Sequence, residues 1–162
     1  ERWWTRSDAI DEEIRARFGD LWREWRSRTP ESFLASADDA LAGVILFDQF
    51  SRNLHRGHAD AFSTDSLALA IAEDAIEAGL DEAIDDDARA FLYMPFMHSE
   101  DLPDQTRSVE LYEALGDPGS LDFAIQHRDI IQQFGRFPHR NAALDRPNTP
   151  DEDEFLKTHH GF

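Results

Sequence analysis

Apolar residues recur along the chain at intervals of three and four, which is the spacing of one face of an α-helix. No stretch of useful length alternates apolar and polar residues, so the pattern predicts no β-sheet. Two segments, Leu41–Phe47 and Phe91–Met97, are apolar on every side. Helices of that kind are normally buried. The pattern therefore predicts an all-α fold, an array of helices with these two at its centre.

Capping residues and glycines divide the pattern into separate helices. Ser, Thr and Asp are typical of helix N-termini, and Gly is typical of the position that follows a C-terminus. Thr149–Glu152 also fits a capping box with proline at the first helical position. The predicted helices are Ser7 or Asp8 to Phe18 (with Gly19 behind it), Asp20–Arg28, Ser36–Leu54, Ser66–Ala78, Asp86–His98, Leu102 to Gly116, Leu121–Phe134, and a last helix from Thr149 toward Thr158.

The composition argues against several kinds of partner. The 162 residues carry a formal net charge of −18, which opposes binding to nucleic acids and to anionic membranes. No apolar run approaches the roughly 18 residues of a membrane-spanning helix. Cysteine is absent, which removes disulfides and thiolate chemistry and fits a reducing compartment. We therefore expect a cytoplasmic protein with neither a nucleic-acid partner nor a membrane partner.

The length and the lack of internal boundaries bear on domain organisation. The chain fits one domain of ordinary size and contains no linker, fixed-period repeat or low-complexity tract, so residues 1–162 are expected to form a single helical domain. Because the chain begins with Glu1, its natural start is expected to have been trimmed. Trp3–Trp4 and the pair Trp22 and Trp25 fit either internal packing or an interface, and the oligomeric state stays open.

Charged residues continue the apolar stripe of the third predicted helix. Steps of three and four lead from Val44 to Asp48 and then to Arg52. Buried charges are costly unless they are paired. One interpretation is an internal ion pair that closes a buried helix, and the other is a ligand-binding Arg52 oriented by Asp48.

A second polar position follows the other central helix. His98 continues the stripe of Phe91 and Met94, and Glu100 comes two residues later. A histidine on an apolar face is either a satisfied core residue or part of a site, and both interpretations stay open. His127 lies on the stripe of the seventh predicted helix in the same way, and Arg128 stands next to it.

Two segments of this acidic chain contain no acid. Residues 49–59 and 130–144 hold Arg, His and Asn without Asp or Glu. If the two segments meet in space, they form a local positive pocket, and the planar fork of Arg is suited to carboxylate or phosphate. The residues predicted to line such a site are Asp48, Arg52, Asn53, Arg56, His98, Glu100, His127, Arg128, Arg136, His139, Arg140 and Asn141.

The same segments resemble a known family, the bacterial domain of unknown function 924. The resemblance lies in four ordered motifs that span nearly the whole chain, and Ser51 stands where the family usually has proline. The resemblance implies a tetratricopeptide-like helical array, and it carries no established reaction. The matching segments are Leu46–Gly57, Phe62–Asp65, Pro95–Ser108 and His127–Asn141.

Three functions compete at this point. The first is binding of a small anionic ligand, or of an acidic peptide end, in an Arg/His-lined pocket without a cofactor. The second is a hydrolase, either metal-dependent or acid–base, that uses the His, Asp and Glu side chains. The histidine spacing matches no metal motif, so no metal site is assigned. The third is a protein-interaction scaffold, by analogy with tetratricopeptide folds.

Overall fold

The computed structural model describes residues 7–159 and 161, and in them the chain is all-α with no strand. The predicted fold class is confirmed. A π-helix, Ile45–Phe50, joins the second and third helices, and 3₁₀ turns lie at Pro30–Phe33, Ala59–Phe62, Leu80–Ala83 and Pro138–Arg140. The α-helices are α1 (Asp8–Trp25), α2 (Ala37–Val44), α3 (Ser51–Leu54), α4 (Asp65–Glu77), α5 (Asp86–His98), α6 (Leu102–Leu115), α7 (Pro118–Phe134) and α8 (Pro150–Phe155).

Most predicted helix ends are confirmed. α5 spans the predicted residues, and α7 ends before Gly135, whose φ of 70° is left-handed. Glycine takes that conformation at little cost, and it turns the chain sharply after α7. The capping box at Thr149 and Glu152 is formed as predicted, although α8 ends at Phe155, short of Thr158.

The predicted break at Gly19 is wrong. α1 runs without interruption from Asp8 to Trp25. Glycine within a helix costs only about 1 kcal/mol relative to alanine, and Gly19 lies where α1 packs on the end of α3, close to Leu54. The start of α7 also differs from the prediction. Asp117 caps the amides of Gly119 and Ser120, so the helix begins at Pro118, three residues before Leu121.

α5 lies at the centre of the described helices. It packs against α2, α4, α6 and α7, and its residues Leu92–Met97 are all buried. The other apolar segment contributes Val44 and Phe47, which are fully buried. The prediction that these two segments are central is therefore confirmed, and both end in polar side chains, Asp48 and His98.

A smaller apolar cluster holds the C-terminal part of the chain. Ile130 and Ile131 of α7 pack with Phe137, Phe134 and Phe155. The segment between α7 and α8 also contacts His98 at the end of α5 and Glu100 just after it. The predicted Trp3–Trp4 pair lies outside the described residues, and no described helix is long and apolar enough to cross a membrane.

Candidate functional site

The π-helix presents Asp48 to the interior of the protein. A π turn is wider than an α turn and leaves backbone groups available to side chains. The Phe47 carbonyl accepts hydrogen bonds from the hydroxyls of Ser51 (2.5 Å) and Thr64 (2.7 Å), and the Asp48 carbonyl accepts one from Arg52 Nη1 (2.5 Å). These side chains stabilise the widened turn, which the sequence pattern did not predict.

The Asp48 carboxylate binds His98 and Arg52. His98 Nδ1 lies 2.8 and 2.9 Å from the two carboxylate oxygens, and Arg52 Nη1 lies 3.1 Å from Oδ1. Gln49 donates a further hydrogen bond to the same group. Because a carboxylate only accepts, Nδ1 carries the proton in this contact, and Nε2 is the second ring nitrogen. Asp48 is completely buried, whereas 17% of the His98 side chain is exposed.

Asp65 joins the arginines of the two acid-free segments. Arg52 places Nη1 and Nη2 at 3.0 and 3.1 Å from the two oxygens of Asp65, and Arg140 Nη1 lies 3.3 Å from one of them. Arg140 Nη2 also donates to the His98 carbonyl at 2.9 Å. We call Asp48, Arg52, Asp65, His98 and Arg140 the central cluster. The two acid-free segments therefore meet at Asp65, which is the condition on which the predicted pocket depended.

The expected positive pocket is not what forms there. Two guanidinium groups face two carboxylates, so the formal charges balance before His98 is counted. The sequence reading missed Asp65, which supplies the second carboxylate and lies in the quoted Phe62–Asp65 motif. An Asp just before a predicted helix gives no sign of such a role, since Asp at that place is ordinarily a cap.

Burial and charge give the members of the cluster different properties. Burial raises the pKa of Asp48, but the charge of Arg52 and the hydrogen bond from His98 outweigh it, so its pKa lies well below the usual range. For Asp65, burial and the nearby charge of Asp48 outweigh both arginines, and its pKa is raised. Burial also lowers the pKa of Arg140 to about 10, which leaves it charged at neutral pH.

His127 forms an aromatic wall beside the central cluster. Its ring centroid lies 6.0 Å from that of His98 and 5.6 Å from that of Phe137. Burial lowers its pKa to about 3, and its Nδ1 donates to the Phe123 carbonyl at 2.7 Å. His127 is therefore a neutral, fixed neighbour of the site at physiological pH.

Gln105 of α6 fixes the end of α5 that carries His98. Its Nε2 lies 2.6 Å from the Met97 carbonyl and 2.7 Å from the Ser99 carbonyl, and its side chain is completely buried. Together with the bond from Arg140 to the His98 carbonyl, these contacts satisfy three consecutive carbonyls at the helix end. The backbone of His98 is thereby held on both sides.

Three of the predicted site residues, Glu100, Arg136 and Asn141, belong to a second group with Arg146 and Glu152, which we call the C-terminal cluster. Arg136 binds both oxygens of the buried Glu152 at 2.7 and 2.8 Å. Arg146 binds both oxygens of Glu100 at 2.7 and 2.9 Å, and also the Asn141 side chain at 2.9 Å. Each charged group of the C-terminal cluster already binds another residue of the chain. We therefore interpret this cluster as a structural clamp, which holds the C-terminal segment in place.

The remaining predicted residues lie away from the central cluster. Asn53 and Arg56 both bind Asp11 of α1, and Arg128 pairs with its neighbour Asp129. His139 lies against Phe137 and lines a cavity of about 200 Å³ together with Pro138, Ala142, Asn148 and Leu156. The structure therefore divides the predicted site into the central cluster, the C-terminal cluster and residues that bind other partners elsewhere.

Comparison with known proteins gives the family. The family model for bacterial proteins of unknown function, DUF924, matches residues 1–160. The chain belongs to this family. A solved structure from Agrobacterium tumefaciens, described as a protein of unknown function, is 40% identical to this chain with a TM-score of 0.91, and the match covers 97% of this chain and 89% of that one. No curated protein matches the sequence.

The donors of this DUF924 protein do not form a metal-ligand set. Within residues 7–159 and 161, no three or more His, Asp or Glu side chains are grouped as metal ligands. The ordered polar groups of the central cluster are one imidazole, two guanidiniums and two carboxylates. Such a set fits recognition of a polar organic group and proton exchange with it.

Proposed function

We propose that this DUF924 protein binds a small molecule with an acidic group at the central cluster, and that Asp48 and His98 give the site acid–base character. The observation that carries this proposal is that residues 48–52, His98 and Arg140, which are far apart in the sequence, meet in one cluster. An imidazole held by a buried carboxylate lies beside two guanidinium groups, and the His98, Arg52 and Asp65 side chains remain partly exposed.

His98 has the state expected of a group that contacts a ligand. Asp48 fixes its tautomer through Nδ1, and Nε2 makes no hydrogen bond with any residue that the structure describes. An imidazole in this state accepts a hydrogen bond or a proton at Nε2. Its orientation is supported from behind by the bonds of Gln105 and Arg140 to the helix end.

Arg52 would bind the acidic group of the ligand. Its side chain is 22% exposed, and the planar fork of its guanidinium matches a carboxylate or a phosphate. The net charge of −18 on the whole chain opposes long polyanions. A small acid remains the best fit to both facts, and a buried polar cluster favours this function over an exposed scaffold groove.

The test is thermal unfolding of the wild-type protein with acetate, succinate, sulfate and phosphate at constant ionic strength. A ligand at 100 times its Kd stabilises by about 2.7 kcal/mol, which corresponds to a rise in Tm of roughly 5–10 °C for a domain of this size. We expect Arg52→Ala to abolish the rise. Arg128→Ala is the matched control, because Arg128 pairs with Asp129 outside the cluster.

The proposal fails if none of these acids raises the Tm of the wild type, or if Arg52→Ala and the wild type respond equally. In a second readout, the ring signals of His98 in an NMR spectrum should shift on binding. Those of His58, whose side chain is 72% exposed and lies near Asp60 outside the central cluster, should stay in place.

The Asp48–His98 pair supports a second candidate, metal-independent acid–base hydrolysis. A carboxylate that holds an imidazole in one tautomer is the arrangement of a general base. Small carboxylic esters and phosphate esters are suitable substrates for a first screen. Turnover that is lost in His98→Gln and kept in His58→Gln would support this function, and turnover that survives His98→Gln would exclude His98 as the base.

A further inference from the structure

Asp65 occupies the place where an acidic ligand would meet the arginines. Both of its oxygens are bound side-on by Arg52, at 3.0 and 3.1 Å, and Arg140 approaches one of them at 3.3 Å. The ring of Phe62 lies against both guanidinium groups, with its centroid 5.6 Å from Arg52 Cζ and 4.6 Å from Arg140 Cζ. The two guanidinium groups and the Phe62 ring thus surround a binding position for one carboxylate, which we call the carboxylate position.

We infer that Asp65 is an internal stand-in for the ligand, and that the ligand is a carboxylic acid whose carboxylate displaces that of Asp65 from Arg52 and Arg140. This inference rests on the proposed function and names its ligand class. Asp65 then acts as an autoinhibitory group that keeps the arginines paired while the site is empty.

Asp65 is placed so that it can leave. It is the first residue of α4, and 20% of its side chain is exposed, whereas Asp48 is completely buried. Among the described residues, the Asp65 side chain is bound by Arg52 and Arg140 alone. The Asp48 side chain is bound by Arg52, His98 and Gln49. Burial raises the pKa of Asp65, so its ionised form gains solvation when the side chain turns outward.

The exchange conserves charge. Two arginines face two carboxylates before it, and they face one internal and one incoming carboxylate after it. Arg140 also has a donor to offer, because its Nε is buried and has no hydrogen-bond partner among the described residues. A ligand that carries a second acceptor next to its carboxylate would satisfy that donor.

The carboxylate position is better suited to a carboxylate than to a phosphate. Its present occupant is planar and presents two oxygens to the two Nη atoms of one guanidinium. Inorganic phosphate has two more oxygens than a carboxylate, and it carries more than one negative charge at neutral pH. The central cluster contains no third arginine or lysine to balance that charge, since the nearby Arg136 and Arg146 are bound to Glu152 and Glu100.

The experiment compares acetate and inorganic phosphate binding to the wild type and to Asp65→Ala by isothermal titration. Removal of the internal competitor should raise acetate affinity about tenfold or more, because apparent affinity scales with the fraction of protein whose site is open. Phosphate should gain less than acetate. Asp129→Ala is the matched control, since it frees Arg128 at the surface and should leave acetate binding unchanged.

Further variants separate the possible failures. Adding Arg52→Ala to Asp65→Ala should remove the acetate gain. If Asp65→Ala does not fold, Asp65→Asn keeps the shape and removes the charge, and the same gain is expected. No gain in a folded Asp65 variant, alongside Arg52-dependent acid binding by the wild type, overturns the inference and leaves the proposed function intact. No acid binding by any variant removes both, and an equal or larger phosphate gain overturns the carboxylate assignment.

Discussion

Asp48 and Asp65 are two carboxylates that bind the same arginine but have different surroundings. The Asp48 carboxylate is enclosed, accepts hydrogen bonds from His98 and Gln49 and forms an ion pair with Arg52, so its charged form is stabilised. Asp65 lies at a helix start with a partly exposed side chain, and burial outweighs the stabilisation from its arginines. The first is therefore a fixed part of the site, and the second is a group that can change its position.

The burial of a single residue, His127, predicts how the stability of the protein depends on pH. Burial lowers the pKa of His127 to about 3 in the folded protein, against roughly 6.5 in an unfolded chain. Below pH 6.5 the unfolded state takes up a proton that folded His127 does not, so stability falls as the pH drops. From pH 7.5 to 5 this residue alone should lower the free energy of unfolding by about 2 kcal/mol.

Urea denaturation at the two pH values checks this expectation. His127→Asn should show a smaller loss of stability between pH 7.5 and 5 than the wild type, whatever its absolute stability. His58→Asn, at an exposed position, should show the wild-type loss. A His127→Asn variant with an unchanged pH dependence would contradict the assignment of the acid sensitivity to this residue.

At the scale of elements, the continuous stretch from α2 through the π-helix to α3 determines where Asp48 points. Ser51 and Thr64 bind the Phe47 carbonyl, and Trp22 Nε1 donates to Ser51 Oγ at 3.1 Å. Helix α1 thus takes part in holding the wide turn, because Trp22 belongs to it. Because Gly19 does not interrupt α1, the helix continues through Trp22, which makes this contact.

Two glycines test this account of the elements. In Gly19→Ala the new Cβ would lie 3.8 Å from the nearest Leu54 atom, an ordinary contact. We expect the free energy of unfolding to rise by about 0.5–1 kcal/mol, since alanine is the better helix former. In Gly43→Ala the Cβ would lie 3.0 Å from a Phe33 ring atom and 3.2 Å from Ile71, so we expect destabilisation of about 1–3 kcal/mol.

Chemical denaturation of both variants measures these changes. A Gly19→Ala protein that is less stable than the wild type would contradict the placement of Gly19 in a regular helix with room for a methyl group. A neutral Gly43→Ala would show that Phe33 and Ile71 can move apart at that contact.

At the scale of the whole molecule, the C-terminal cluster connects the segment after α7 to the helices that carry the site. Glu100, next to the end of α5, binds Arg146 and the Phe137 amide. Phe137 in turn packs against Arg140 and His127. The clamp therefore determines where Arg140 lies, although none of its own charges belongs to the central cluster.

Glu152→Gln tests the clamp. Arg136 lowers the pKa of Glu152 to about 2 through its hydrogen bonds, and the carboxylate is buried. Loss of a charged hydrogen-bond partner at such a place should cost on the order of 2 kcal/mol of unfolding free energy. Glu154→Gln, on the same helix but in an exposed pair with Lys157, should cost less than about 0.5 kcal/mol. Equal effects of the two substitutions, measured by urea denaturation, would contradict the clamp.

Some parts of the site were predictable because they depend on local spacing. The steps from Val44 to Asp48 and Arg52 follow helix geometry, which the wide turn keeps closely enough for the i,i+4 pair to form. Asn53 and Arg56 share the same segment but face α1, where Asp11 binds them. Nothing in the sequence near residue 53 indicates that partner, since it lies 42 positions away.

The sequence by itself determined the helical class, most helix ends and the two apolar helices that carry Asp48 and His98, because spacing, caps and glycines act over a few residues. Tertiary structure decided which charges are neighbours. Asp65, Arg146 and Glu152 become partners of the predicted residues only when helices distant in sequence pack together. Electrostatic interactions in the interior depend on distance and burial in space, so the balance of charge at the central cluster follows from packing.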